Sequence, residues 1–387
     1  MKQGWEIKKL DDACEVEYGT RVVQKRDGGK IYPVYGGGGA TFFMDTFNRE
    51  DCLVVARFAM SAQCTRFVEG KFFLNDSGLT VRPKNDKELL PDFLNLQILF
   101  LNDHIYSLSR GTAQRNLDVP AFRNIQIAFP KSLPEQQCIV SILDEAFAAI
   151  AKAKANAEQN LKNAKELFES YLKTAFENKV HGEKFETLDS LCELIVDCEH
   201  KTAPTQETGY PSIRTPNIGK GELILENVNR VSYETYIQWT RRAIPKAGDL
   251  ILAREAPAGN IAVIPENIEV CLGQRTVLLR PKKERLISKY LAYLILSKEV
   301  QEILLSHSTG ATVQHINMKD IRAFKIYNLS DLKEQISIVQ KLDALKSETK
   351  KLEAVYQKKI ADLEELKKSI LQKAFAGEMK TEKAVAV

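Results

Sequence analysis

The chain has 387 residues, of which 44% are hydrophobic and 27% charged, and a net charge of +4. That length exceeds one ordinary domain. The composition excludes a disordered or fibrous chain, and the charge excludes a polybasic tail while permitting local basic surfaces. The seven Cys contain no C-x-x-C pair and there are five His, so no structural zinc site is expected. Reduced, mostly buried thiols in a cytoplasmic protein are expected instead. The N-terminus lacks an apolar export core. The longest apolar run, Tyr290 to Leu296, falls far short of the ~20 residues that cross a bilayer.

In chain order, residues 1–133 read as a mixed α/β domain. Strand-like runs are Lys30 to Tyr35, Cys52 to Arg57 and Gly78 to Arg82. One helix follows Pro91, with apolar residues at Phe93, Leu94, Ile98, Leu101 and Ile105, and stops at Gly111. A strand-like Ile125 to Phe129 leads out. Residues 134–180 then carry a long helix that opens on Pro134, suited to a first helical turn. Its small-or-apolar stripe is Ile139, Leu143, Ala146, Ile150, Ala153, Ala157, Leu161, Ala164, Phe168, Tyr171 and Ala175, a seam for another helix. Residues 181–332 repeat the plan of 1–133, with a helix-like Leu286 to Ser306 and a strand-like Phe324 to Tyr327. Residues 333–378 form a second long helix with the seam Ile338, Leu342, Leu345, Thr349, Leu352, Tyr356, Ile360, Leu363, Lys367, Ile370 and Ala374. Residues 379–387 read as a frayed tail.

One constant offset of 199 residues relates the two helices, mapping Glu135-Gln136 on Glu334-Gln335 and Ala175-Phe176 on Ala374-Phe375. Both stripes step by 4 and 3, and both carry a double step of 4 at the equivalent place, 153–157–161 and 352–356–360. A shared irregularity of period is a stronger sign of duplication than shared hydrophobicity. The expected fold is α+β: two similar mixed α/β domains separated by two long helices that pack as an antiparallel coiled coil, with pseudo-twofold symmetry. Each helix would measure roughly 65–70 Å.

Catalytic motifs are missing from the sequence. Gly36-Gly37-Gly38-Gly39 is followed by no Gly-Lys-Ser/Thr, so it is no phosphate loop. There is no Asn-Pro-Pro-Tyr/Phe stretch to hold a base amino group for methyl transfer, no acid cluster of the metal-nuclease kind, and nothing that places a Ser or Cys beside a His with an orienting acid. The chain therefore reads as non-catalytic and without a metal or cofactor of its own. All 18 Arg fall within 1–133 and 181–330, nine in each, while the long helices carry only Lys. Arg offers a rigid fork for guanine edges and phosphates, and Asn, Gln and Thr also pair with bases. Candidate nucleic-acid contacts in the first domain are Arg21, Lys25, Arg26, Gly37, Gly38, Arg57, Arg66, Arg110, Thr112, Gln114, Arg115 and Asn116. In the second they are His200, Lys201, Thr202, Arg214, Thr215, Asn217, Lys220, Arg241, Arg242, Arg254, Gln274, Arg275, Thr309, Gln314, His315 and Asn317. Simple turn flexibility is the other reading of the Gly loop. A framework ion pair is the other reading of Arg57 and Arg254, each of which closes an apolar strand.

Three stretches resemble the specificity subunit of type I restriction–modification enzymes. They are Gly111 to Leu117 with Ile125-Gln126-Ile127 and Leu133 to Gln136; Gly310 to Gln314 with Ile326 and Leu332 to Gln335; and Gly209 to Ile218 with Gly248 to Arg254. The resemblance covers nearly the whole chain in the order target-recognition domain, helix, target-recognition domain, helix. It departs in small ways: Lys333 stands where the first copy has Pro134, and Val313 lengthens the second glycine loop. The resemblance implies a non-catalytic DNA-reading subunit that binds two modification (methyltransferase) subunits and, through them, restriction subunits. S-adenosylmethionine, ATP and Mg would belong to those partners. Each recognition domain would read one half of a bipartite asymmetric site, with centres about one helical turn, ~34 Å, apart, and helix length would set the gap. The alternatives are the DNA-reading subunit of another restriction–modification architecture (type IIB-like) and a coiled-coil scaffolding protein.

Overall fold

A computed structural model describes residues 3–255, 257–306 and 315–379. The tail expected at 379–387 and the loop carrying Thr309 and Gln314 lie outside the described residues, apart from Met379 itself. The chain divides into two compact units, Met1–Glu158 with Lys358–Val387, and Gln159–Gln357. Each unit thus contains one globular fold and a stretch of each long helix.

In the first unit, a two-stranded pair joins Trp5–Lys9 to Gln126–Pro130. A six-stranded sheet has the order Cys14–Tyr18, Gly78–Pro83, Arg49–Ala56, Thr65–Leu74, Tyr32–Tyr35, Ala40–Met44. Strand Thr65–Leu74 is the hinge of this sheet. It runs antiparallel to Arg49–Ala56, past a register shift at Glu50/Cys52, and its last two residues pair in parallel with Val34 and Tyr35. Strand Arg49–Ala56 is apolar from Cys52 onward and buried on both faces.

The second unit rebuilds this frame. Phe185–Thr187 pairs with Lys325–Tyr327. A five-stranded sheet runs Cys192–Asp197, Thr276–Pro281, Leu250–Ala253, Ile261–Val263, Gly221–Glu222. The work of the long hinge strand is split here: Ile261–Val263 pairs with Leu250–Ala253, and Cys271–Leu272 pairs in parallel with Ser212 and Ile213. The frames agree down to their thiols. Cys14 lies opposite Pro83 and Cys192 opposite Pro281, and burial pushes both thiols up to about 12, well outside the range of a reactive thiolate.

Both helices expected inside the globular folds are broken in two. The first is Pro91–Phe100 then Asn102–Ser107. The Asn102 side chain accepts from the Cys64 and Thr65 amides (3.0 and 3.1 Å), pinning the junction to the start of the hinge strand. The second is Ser288–Leu296 then Lys298–Ser306, broken at Ser297, whose ψ is 145° and whose hydroxyl donates to the Leu294 carbonyl. Short polar side chains that bond locally compete with helical hydrogen bonds in this way.

The long helices run Leu133–Phe176 and Leu332–Phe375, 44 residues each, or roughly 66 Å. Their stretches pair antiparallel inside each unit. In the first, Lys154 Nζ meets Glu364 Oε1 at 2.5 Å and Lys367 lies over the Phe147 ring. In the second, Leu172 and Phe176 share a core with Val339 and Leu342.

The proposed seam needs correction at its ends. Ile139 and Leu143 are buried in the globular core of the first unit along with Ala374, with Ile370 packed against it, and Leu342 is buried in the core of the second, with Phe168 and Ile338 packed against it. Ile150 is buried; Leu161, Tyr356, Ile360 and Leu363 are half-buried. Leu352 is 40% exposed while Thr349, one turn earlier, is buried. The apolar row has rotated off the contact there, as a straight helix does by ~20° per heptad against a 3.5-residue repeat. No helix among the described residues is long and apolar enough to cross a membrane.

The joint between globular fold and helix is the same in both units. Gln136 is fully buried: its Oε1 accepts from the Leu90 amide (2.8 Å), and its Nε2 donates to the carbonyls of Glu88 (2.8 Å) and Pro130 (2.7 Å). Gln335 is also fully buried. It accepts from the Ile287 amide (2.9 Å) and donates to the Arg285 (2.9 Å) and Ser330 (2.8 Å) carbonyls. Replacing Gln136 by Leu leaves three backbone groups without this partner, the Pro130 carbonyl buried and the Leu90 amide and Glu88 carbonyl half-buried, at about 1–3 kcal/mol for each group left unsatisfied. Gln136→Leu and Gln335→Leu should each lower stability by about 3 kcal/mol or more, measured by urea unfolding. A change under about 1 kcal/mol would show that the joint bears little load.

Candidate nucleic-acid interface

In the first unit the candidate residues gather where the buried strand Arg49–Ala56 ends. The Arg57 amide donates to the Ser77 carbonyl (2.8 Å), and the Arg57 carbonyl accepts from the Leu117 amide (2.8 Å). The strand end is thereby stitched between two loops, 75–77 and 110–117. The Arg57 guanidinium lies over the rings of Tyr18 (4.8 Å) and Phe58 (4.5 Å). Arg115 covers Tyr106 (4.8 Å), and its carbonyl accepts from Met60 (2.9 Å). Arg110 is 83% exposed and pairs with Asp118 at 2.5 Å. Gly111 sits at φ +110°, where a Cβ would meet the Gln114 carbonyl at 2.2 Å, so the tight loop requires glycine. Thr112 and Gln114 on this loop are exposed. Tyr18, Arg57, Phe58, Arg110, Gln114 and Asn116 line one open cleft of about 610 Å³.

The Gly loop divides in two. Gly37 is buried: its amide donates to Ser77 Oγ (3.1 Å), its carbonyl accepts from Arg66 Nη2 (3.1 Å), and a Cβ would strike the Phe58 carbonyl at 2.6 Å. Gly37 therefore packs the loop and is not placed to touch DNA, and half-buried Arg66 braces it. Gly38 is exposed with nothing near its Cβ position. Arg21 follows Gly19 and Thr20, whose amides bond to Gly78 and Leu74 beside the same turn. Lys25 and Arg26 lie farther along, in the exposed turn Gln24–Asp27, where Asp27 pairs with Arg26 at 2.9 Å and holds its guanidinium above the usual range.

In the second unit the corresponding strand end carries a charged network. Arg254 is 6% exposed. It donates to Asp197 Oδ2 (2.7 Å), to the Ile316 carbonyl (2.9 Å) and to His315 Nε2 (2.8 Å). His315 Nδ1 meets Glu255 Oε1 at 2.7 Å, and Glu255 also pairs with Arg275 at 2.9 Å. Asp197 further holds His200 at 3.2 Å. Arg254 is thus consumed within the framework, in agreement with its reading as a framework ion pair rather than as a contact: a buried guanidinium is retained only with its charge and donors matched. Exposed Arg275 has φ +66°. Arg241 and Arg242 share Glu199 (3.0 and 3.4 Å).

Thr202, Arg214 and Gln274 meet around one small cavity, and Lys201 beside them is exposed. Thr215 is buried, and the Asn217 side chain closes its own turn by accepting from Arg214 (3.1 Å) and donating to the Ile224 carbonyl (3.3 Å). Neither presents its side chain outward as expected. The Asn317 side chain likewise bonds locally, to Asp320 (3.2 Å). The carbonyl of exposed Lys220 accepts from Lys346 (3.2 Å), which places it against the second long helix. Sequence reasoning missed the partners that decide these roles: Tyr18, Phe58 and Tyr106 under arginines, and Asp197, Glu199 and Glu255 against them. Only an aromatic directly beside Arg57 was visible as a signal.

Comparison with known proteins follows the internal repeat. A model of the type I restriction modification DNA specificity domain matches residues 2–162 and again 183–363. The chain is 26% identical over 171 residues to the type I restriction enzyme EcoBI specificity subunit of Escherichia coli, covering 44% of this chain and 36% of that one. It is 25% identical over 297 residues to the StySPI specificity subunit of Salmonella potsdam, covering 72% and 63%. The matches therefore span less than two thirds of either relative. A solved structure described as the basis of complex assembly and conformational transition of the type I R-M system superposes with a TM-score of 0.74 at 18% identity. It covers 98% of this chain and 99% of that one, and at this identity it shows a shared fold. Matched twice, over most of its length, the chain belongs to the type I restriction modification DNA specificity domain family.

Proposed function

We propose that this chain is the specificity subunit of a type I restriction–modification complex. It reads DNA and catalyses nothing itself. Each globular fold reads one half of a bipartite, asymmetric site. The long helices dock two methyltransferase subunits and, through the complex, restriction subunits, and their length sets the gap between half-sites. S-adenosylmethionine, ATP and Mg act in those partners, and the complex works in the cytoplasm.

The observation that carries this reading is one frame used twice with different surfaces. The Gln136 and Gln335 joints match bond for bond. The side chains at the corresponding strand ends do not match: aromatic-backed Arg57 in one, the Arg254–Asp197–His315 network in the other. Constant joints with variable polar surfaces suit two readers of unlike sequences. Docking by the helices is supported by exposed Leu167, Tyr171, Leu352 and Val355 among lysines and glutamates, a face suited to protein rather than bases.

Sequencing methylated adenines in a host carrying this chain with its methyltransferase should reveal a split motif with a fixed gap. A continuous motif, or none, would contradict the reading. The reconstituted complex should bind that motif with affinity that falls steeply as salt rises, while this chain alone should methylate nothing.

A further inference from the structure

Arg57 and Arg254 occupy one structural position. Each follows a buried strand, with Ala56 opposite Gly78 and Ala253 opposite Thr276. The Arg57 amide donates to Ser77 and its carbonyl accepts from Leu117; the Arg254 amide donates to Arg275 (2.9 Å) and its carbonyl accepts from Ile316 (3.1 Å). Their side chains differ completely. A guanidinium only donates, so His315 Nε2 must accept from Arg254. That puts the neutral imidazole's proton on Nδ1, facing Glu255. With Asp197 and the Ile316 carbonyl also engaged, Arg254 is locked inside the fold.

Arg57 is braced but unspent. Among the described residues its side chain makes one long hydrogen bond, to the Asp76 carbonyl at 3.4 Å, while Tyr18 and Phe58 lie against its guanidinium. It lines the open cleft whose other members include Arg110, Gln114 and Asn116. Aromatic rings fix the plane of a guanidinium and leave its edge donors available. A fixed plane is what a bidentate contact to guanine O6 and N7 needs; a phosphate accepts a donor from many directions.

We propose that Arg57 is a specificity-determining residue that reads a guanine in the half-site of the first unit, and that the second unit has turned its counterpart, Arg254, into framework. The two half-sites are therefore read by different positions of one fold. This inference rests on the DNA-reading function proposed above.

The test uses the complete methyltransferase-bound complex and duplexes carrying the motif mapped from the native genome, with every single base-pair replacement. The wild type should discriminate against loss of one G·C pair in one half-site by roughly 5- to 150-fold. Arg57→Ala should abolish that discrimination and leave the other positions and the melting temperature unmoved. Arg57→Lys, which keeps charge without the fork, should fail to restore it. Arg254→Lys should lower the melting temperature with no loss confined to one base pair. The inference is overturned if Arg57→Ala weakens every duplex equally with a shallower salt dependence, which marks a phosphate contact, or if it changes nothing. A wild-type complex that discriminates no split site would instead remove the broader reading, and this one with it.

Discussion

The fully buried glutamine at the head of each long helix is the contact on which the rest of the molecule depends. Its amide is both donor and acceptor, so one side chain ties three backbone groups from separate segments: the residue before a globular helix, the turn just ahead of it, and the segment that leads into the long helix, Pro130 in the first unit and Ser330 in the second. An apolar residue in that place would fill the space and leave those groups unpaired, which a buried interior tolerates poorly. The joint thus converts a flexible strand-to-helix connection into a fixed one. The proposed reading of DNA needs such a joint, because contacts have value only at a defined position along the helix that carries them.

Away from that joint, the two units diverge in ways that preserve the frame. The hinge strand Thr65–Leu74 of the first unit becomes two short strands in the second, yet the strand-end arginine keeps its backbone partners. The main chain is determined by buried apolar strands and hydrogen bonds, and the polar side chains beyond them are free to differ. Arg254 shows the limit of that freedom. Once Asp197 and His315 surround it, it serves the fold, and Arg275 and His200 are left at the outer edge of the same network.

Much of the architecture was legible in the sequence because it rests on local periodicity. Both long helices fall within a few residues of their expected bounds, and their 199-residue offset holds at both ends, Leu133 to Leu332 and Phe176 to Phe375. The Glu-Gln pair was visible as a repeat but not as a clamp, since its partners lie 46 and 48 residues upstream at Leu90 and Ile287. The breaks at Leu101 and Ser297 went unseen because apolar spacing runs through them while a single polar side chain decides the backbone. The site was legible as a set of loops and less so by residue. The apolar strand before Arg254 allows a framework ion pair, but nothing local names its partners, because Asp197 is 57 and His315 is 61 residues away. The same holds for Gly37, which looked like a mobile loop and is packed by Ser77 and Arg66.

The central claim is that each globular fold is a separable reader set on its helix by a glutamine joint. Exchanging the segment upstream of Gln136 for that of a family member with a different target, with Gln136 and both long helices retained, tests it most directly. The methylated motif in a host carrying the chimaera should change in one half, with the other half and the gap kept. A motif altered in both halves, or in neither, would contradict the account.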